Sequence, residues 1–318
     1  MRKRGIPRRI TFKPLEKELG FGRSISANER LMNTDGSFNV VREAINVWDN
    51  TYHYLIHMTW GQFFLLALVF FGVMNSLFAA LYLCFGIENL SGTTPGSFTD
   101  NFLQAFFFSS QTLTTVGYGH ISPSGIPSSI LASFESFMGL LLFALISGLL
   151  YGRFSRPRAH IHYSENMLVA PYKDGMALMF RMVNARVSEL IETEVQVLMA
   201  FNQRDETGKT TRKFYPLTLE INKISFFSLS WTIVHPLDEK SPISGFSSQE
   251  LIDANAEFMV LVKGTDETTH QNVFSRHSYT ADEFVWNAKF SPIIILNEGT
   301  PRVITSQIGK FERMMNDE

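Results

Sequence analysis

The residues with the most specific chemistry in this chain are six in a row, Thr114-Thr115-Val116-Gly117-Tyr118-Gly119. To replace the water around a bare cation with peptide oxygens, successive carbonyls must all aim at one axis. That demands a backbone of alternating handedness, which glycine adopts freely and other residues resist. Gly117 and Gly119 therefore sit in the run for their dihedral angles, and Thr115 adds a hydroxyl at its inner end. One chain supplies one strand of such a site, so several identical chains around an axis are needed to stack complete rings of oxygen. Gly-Tyr-Gly alone also makes ordinary turns, and only the surrounding elements decide between the two.

Those elements are legible. Pro95-Gly96 marks a turn, and Ser97 or Thr99 can cap a helix starting there. Phe102, Leu103, Phe106, Phe107 and Ser110 recur at helical spacing, which predicts a helix over 98–112. It is too short to cross a bilayer and reads as a re-entrant element, its negative C-terminal end directed towards the cation. On either side lies an apolar stretch. Trp60–Phe85 is 26 residues without Asp, Glu, Lys or Arg. As a helix it reaches ~39 Å, against a hydrocarbon core of ~30 Å. The second, over 129–151, is interrupted only by Glu135, an ionisable residue expected to face protein near the short helix. Soluble core helices are seldom apolar all round for six turns, so both are read as spans.

Composition agrees. The chain is 45% hydrophobic and only 18% charged, below the ~25% usual for soluble proteins. A near-neutral pI of 6.5 argues against a nucleic-acid partner. The single cysteine, Cys84, excludes an intrachain disulfide and a cysteine-based zinc site. Residues 1–59 hold ten Lys or Arg, 86–128 hold none, and Arg153, Arg156 and Arg158 come after the second span. The positive-inside rule then places both termini in the cytoplasm and 86–128 outside, in a multi-pass protein of the cell's inner (plasma) membrane.

Thr115-Val116-Gly117-Tyr118-Gly119 resembles the potassium-channel signature in full, and further stretches resemble the inward-rectifier potassium channel family, in particular its prokaryotic branch. They are Pro95–Asp100, Arg153–Pro157, Met182–Arg186, Phe227–Pro236, Ser241–Ile243 and Arg276–Tyr279 with Glu283. The resemblance implies an α + β membrane protein: two transmembrane helices with a re-entrant pore helix and filter, then a cytoplasmic immunoglobulin-like β-sandwich over 157–305. It implies a homotetramer that conducts K⁺ passively, the ion held at Thr115, Val116, Gly117 and Tyr118. Residues 48–58, amphipathic and aromatic, would be an interfacial slide helix after a cytoplasmic segment over 1–47. Strong rectifiers carry an acidic residue where this chain has Phe143, so steep block by Mg²⁺ or polyamines is not expected; Ba²⁺ block of the filter is. Many members brace the filter with a carboxylate–arginine pair. Gln111 and Ile121 stand at the matching places, so this filter must be braced differently.

On the second span Phe143, Ser147 and Tyr151 recur every four residues and share a face. They are expected to line the inner pore, with Phe143 and Tyr151 as constrictions that gate by dewetting and Gly139 as a bending point. The alternative puts Tyr151 in the interfacial aromatic belt and Phe143 against lipid. Arg153, Arg156 and Arg158 lie where anionic headgroups sit, phosphoinositides included, each contributing ~1 kcal/mol of attraction or serving only as a topology signal.

Even without the family, 159–305 suggests a β domain. Lys173-Asp174-Gly175 is a hairpin-type turn between extended runs Ile161–Ala170 and Met176–Val183, and Glu192–Phe201, Lys213–Leu219 and Glu257–Lys263 are further strands. The tail over 306–318 carries no signal. His53 and His57 lack a third ligand, so metal is not expected there. The competing reading is a membrane-anchored sensor or binding protein whose β domain does the work, though a sensor has no use for the filter run. An enzyme is not expected, since there is no P-loop, G-x-S-x-G, H-E-x-x-H or dinucleotide fingerprint.

Overall fold

Helices of this chain begin and end where side chains satisfy their loose backbone groups. In the computed structural model, which describes residues 30–39, 51–155, 159–186, 188–204, 210–297 and 300–314, α1 is Thr51–His57 and α2 is Trp60–Phe85. Thr59 caps α2 in a reciprocal box with Gln62, and Gly86 at φ +98° ends it. α3, Phe98–Leu113, is capped by Ser97 in a second box with Asp100. α4, Ile126–Phe154, starts after Gly125 at φ +98° with Pro127 in its first turn, and so extends past the expected 129–151 at both ends. Between α2 and α3 comes β1, Leu90–Ser91, which pairs antiparallel with β2, Ser122–Pro123. This staple closes the loop that holds α3 and the filter. Gly92 has no substitute there, because a Cβ would lie 1.8 Å from the His120 carbonyl oxygen.

These elements make up one compact unit, Arg42–Arg156; the second is Pro157–Glu318 with the N-terminal segment Met1–Val41. In the first, Phe78, Ala79 and Tyr82 of α2, Ala105 and Phe108 of α3 and Ala132 of α4 form a small buried core, with Leu90 and Ile121. Most of α2 and α4 nevertheless presents exposed apolar side chains, among them Leu65, Leu68, Val73, Ile130, Leu140 and Leu145.

The second unit is a β-sandwich. Its strands are β3 (Ile161–Tyr163), β4 (Met167–Tyr172), β5 (Gly175–Asn184), β6 (Leu190–Arg204), β7 (Thr210–Leu217), β8 (Lys223–Phe227) and β9 (Ser230–Pro236), then α5 (Ser248–Asp253), β10 (Glu257–Asp266), β11 (Gln271–Thr280) and β12 (Phe284–Trp286). One sheet runs β11-β10-β6-β7 with β8 also on β6; the other runs β12-β4-β5-β3 with β9 also on β5. Met182, Phe180 and Ile233 from one sheet meet Phe201, Val260 and Phe258 from the other in a single core. The alternating burial of β9 is the period-2 pattern of a strand with one face inward.

Two expectations change here. The run Ile161–Ala170 is two strands, because Ser164 breaks the ladder: its side-chain oxygen accepts the Arg181 N–H at 3.1 Å, while its own N–H donates to the Arg181 carbonyl at 2.8 Å. The described part of the tail, up to Met314, is also structured. Beyond β13 (Ala288–Phe290), β14 (Ile294–Asn297) and β15 (Thr300–Val303), β16 (Phe311–Arg313) returns to pair with β13, so the domain extends past residue 305.

The described part of the N-terminal segment is built into this unit. Leu31 and Met32 donate their backbone N–H groups to the two carboxylate oxygens of Glu257 at 2.9 and 2.8 Å. Glu257 also pairs with Arg212 at 2.8 Å, both side chains almost wholly buried. Arg30 reaches Glu283 at 3.0 Å.

Candidate functional site

The filter run leads directly from the end of α3, and its backbone alternates. Thr115, Gly117 and Gly119 have φ of +60°, +56° and +82°, with Val116 and Tyr118 between them at negative φ. Residue type marked the two glycines in advance; nothing marked Thr115, which adopts the left-handed region too, at a cost of about 1–2 kcal/mol for a residue with a Cβ.

What holds this conformation is Gln111, buried in the last turn of α3. Its backbone carbonyl accepts the N–H of Val116 at 2.9 Å and of Gly117 at 3.2 Å. Its side-chain oxygen accepts the N–H of Tyr118 at 3.1 Å. Three consecutive N–H groups therefore turn to one residue behind the run, which leaves the carbonyls free on the other side. The bracing expected from some other source comes from the glutamine itself, and Ile121 is buried in the apolar core beside it.

On α4, Phe143, Ser147 and Tyr151 are all exposed along one face, Phe143 by 73% and Tyr151 by 75%. At Gly139, the expected bending point, α4 runs unbroken in this state, and a Cβ there would lie 2.0 Å from the Leu113 carbonyl oxygen. It is glycine because α4 crosses the end of α3 at backbone contact.

Arg153 is also differently employed from the expectation. Its Nη1 donates to the carbonyls of Leu55 and Ile56 at 2.6 and 3.1 Å, and its Nη2 to that of Met58 at 2.7 Å. The guanidinium stacks over Trp60 and Phe63, at 4.6 and 4.8 Å from the ring centroids. A cation thus closes the negative C-terminal end of α1 and ties it to the last turn of α4. Arg156 and Arg158 lie outside the described residues, as do 48–50 of the expected slide helix and the side chain of His53. No three potential metal ligands cluster among the described residues.

A polar group that the sequence reading left unassembled lies between α2, α3 and α4. Tyr82 donates to Glu135 at 2.7 Å, Ser109 contacts both Glu135 and Asn75, and all four are buried. The available signal was Asn75 and Tyr82, two of the few polar positions in an apolar run.

Comparison with known proteins places the chain. Residues 161–316 match the inward rectifier potassium channel C-terminal domain, and residues 63–155 match an ion channel model. The inward rectifier potassium channel Kirbac3.1 of Paramagnetospirillum magnetotacticum is 36% identical over 288 residues, 90% of this chain and 95% of the relative. The chain belongs to the inward rectifier potassium channel family. A more distant inward rectifier, the G protein-activated inward rectifier potassium channel 1 of Bos taurus, is 30% identical over 223 residues, 65% of this chain and 43% of its own length. Among solved structures, the sporulation control protein Spo0M of Bacillus subtilis aligns over 39% of this chain and 49% of its own, with 11% identity and a TM-score of 0.21, too slight to bear on the fold. As an inward rectifier the chain is a potassium channel of the membrane and not an enzyme, its α2 and α4 the two membrane-crossing helices and its C-terminal unit the β-sandwich.

Proposed function

We propose that four copies of this chain surround one axis and that the carbonyls of Thr115, Val116, Gly117 and Tyr118 take the place of water around K⁺. The observation that carries this is the alternating φ of residues 115–119 with three N–H groups turned back to Gln111. Carbonyls freed in this way and stacked in rings coordinate a dehydrated monovalent cation. Phe143, Ser147 and Tyr151, exposed on one face of a single chain, line the inner pore, and the two aromatic rings close it by excluding water. With phenylalanine at 143, voltage-dependent block by Mg²⁺ or polyamines is shallow, while Ba²⁺ blocks at the filter. The sandwich lies in the cytoplasm with both termini, in keeping with the basic flanks of the spans, and biases the gate together with anionic lipids held at Arg156 and Arg158.

The test is K⁺ flux from liposomes loaded with the purified protein. Flux that is blocked by Ba²⁺ and lost when Na⁺ replaces K⁺ is expected; equal Na⁺ and K⁺ flux rejects the filter assignment. Phe143→Ala and Tyr151→Ala are expected to raise the flux, and unchanged flux removes them from the gate.

A further inference from the structure

Glu135 is completely buried on a membrane-crossing helix, and no cation among the described residues pairs with it. α2 carries no Asp, Glu, Lys, Arg or His. α3 carries only Asp100, engaged with Ser97 at the far end, and the one basic residue of α4 is Arg153 in its last turn. The groups that touch the carboxyl are the hydroxyls of Tyr82 and Ser109.

Counting hydrogens settles which form of the acid fits this site. The Ser109 oxygen lies within hydrogen-bond distance of both Glu135 Oε1 and Asn75 Oδ1, the latter at 3.0 Å. One hydroxyl has one hydrogen and serves one acceptor. Asn75 contributes none to this contact, because it turns its oxygen to Ser109 and its Nδ2 to the Phe71 carbonyl at 2.7 Å, and turning the amide over would set oxygen against oxygen there. The missing hydrogen must come from Glu135. With the acid neutral every contact is served: Tyr82 O–H donates to Oε2, the Glu135 O–H on Oε1 donates to Ser109, and Ser109 donates to Asn75. With the acid ionised, two lone pairs face each other in a buried site without counter-charge, a costly arrangement.

We infer that Glu135 is a protonated positioning residue, the central link of a hydrogen-bonded chain Tyr82–Glu135–Ser109–Asn75 that fixes the helix carrying the filter to both membrane-crossing helices. It acts as a hydrogen-bond donor in mid-membrane, not as a negative charge that attracts ions. This goes beyond the proposed conduction path, and it can be read without any ion flow.

Infrared spectra of the full-length protein in liposomes at neutral pH provide the test. A protonated-carboxyl carbonyl band is expected in the unmodified chain, absent in Glu135→Gln. In Tyr82→Phe, where Oε2 loses its donor, the band should persist at higher frequency. Glutamine supplies the same donor and acceptor, so Glu135→Gln is also expected to keep K⁺ flux within about twofold, whereas Glu135→Ala lowers it well beyond that. Loss of a carboxylate band in place of the acid band in Glu135→Gln, or a spectrum in Tyr82→Phe with the acid band unmoved, overturns the inference. So does Glu135→Gln proving as damaging as Glu135→Ala.

Discussion

Gln111 holds the filter run by itself, through its backbone and side-chain oxygens. Its acceptors face three successive N–H groups, and removing the side-chain one leaves the part-buried N–H of Tyr118 without a partner, a penalty of about 1–3 kcal/mol. Gln111→Leu is therefore expected to lower the K⁺ over Na⁺ flux ratio by about tenfold, since about 1.4 kcal/mol is a factor of ten, while Gln111→Glu retains an acceptor and most of the ratio. Arg153 is open to a second test at this scale. Lysine gathers its three donors on one nitrogen and has no planar fork to reach these carbonyls while stacking over Trp60 and Phe63. Arg153→Lys is expected to lower the thermal midpoint in detergent free of anionic lipid; a residue that served lipid alone would show its loss only when such lipid is present. The filter glycines were legible because their identity encodes a dihedral. Gln111 and Arg153 were not, because the meaning of a polar side chain lies in partners that sequence leaves unpaired, in the case of Arg153 some 95–98 residues away.

Among elements, the crossing of α3 and α4 is the contact most sensitive to a single atom. Gly139→Ala places a methyl group 2.0 Å from the Leu113 carbonyl oxygen, at the helix end that leads into the filter. Overpacking of this kind costs about 1–3 kcal/mol, and thermal unfolding in detergent should report it. Helix spans could be read from apolar runs and caps, since both are local; α4 starts before its expected residue 129 because Gly125-Ile126-Pro127 opens it with a proline entry that hydropathy does not register. In the sandwich, the strand predicted over Ile161–Ala170 overlooked Ser164, whose hydroxyl substitutes for a ladder partner. Apolar periodicity cannot register that exchange.

At the scale of the whole molecule, the buried pair Arg212–Glu257 joins the N-terminal segment to the sandwich. Arg212→Met leaves a buried carboxylate without its counter-ion and is expected to cost about 3–5 kcal/mol in denaturant unfolding. Adding Glu257→Gln should recover part of that loss by removing the charge. Acid weakens the same unit. Burial lowers the pKa of His235, held between the Thr218 carbonyl and the Ser241 hydroxyl, and of His277, which stacks on Tyr163 and contacts the Thr34 carbonyl. Both are then favoured neutral in the folded chain, so below the ordinary histidine pKa of about 6.5 the unfolded chain binds more protons and stability falls as pH drops. Denaturation midpoints measured from about pH 7 to about pH 5 should decline, and His277→Gln should flatten part of the slope.

The carboxylate of Glu257 and the amide of Met32 that it receives are 225 residues apart along the chain. During synthesis the segment around Met32 leaves the ribosome long before its dock exists. At ~5–20 residues per second it waits roughly 10–45 s, while both membrane helices are inserted. Over that interval the backbone N–H groups of Leu31 and Met32 lack the carboxylate that receives them in the folded chain.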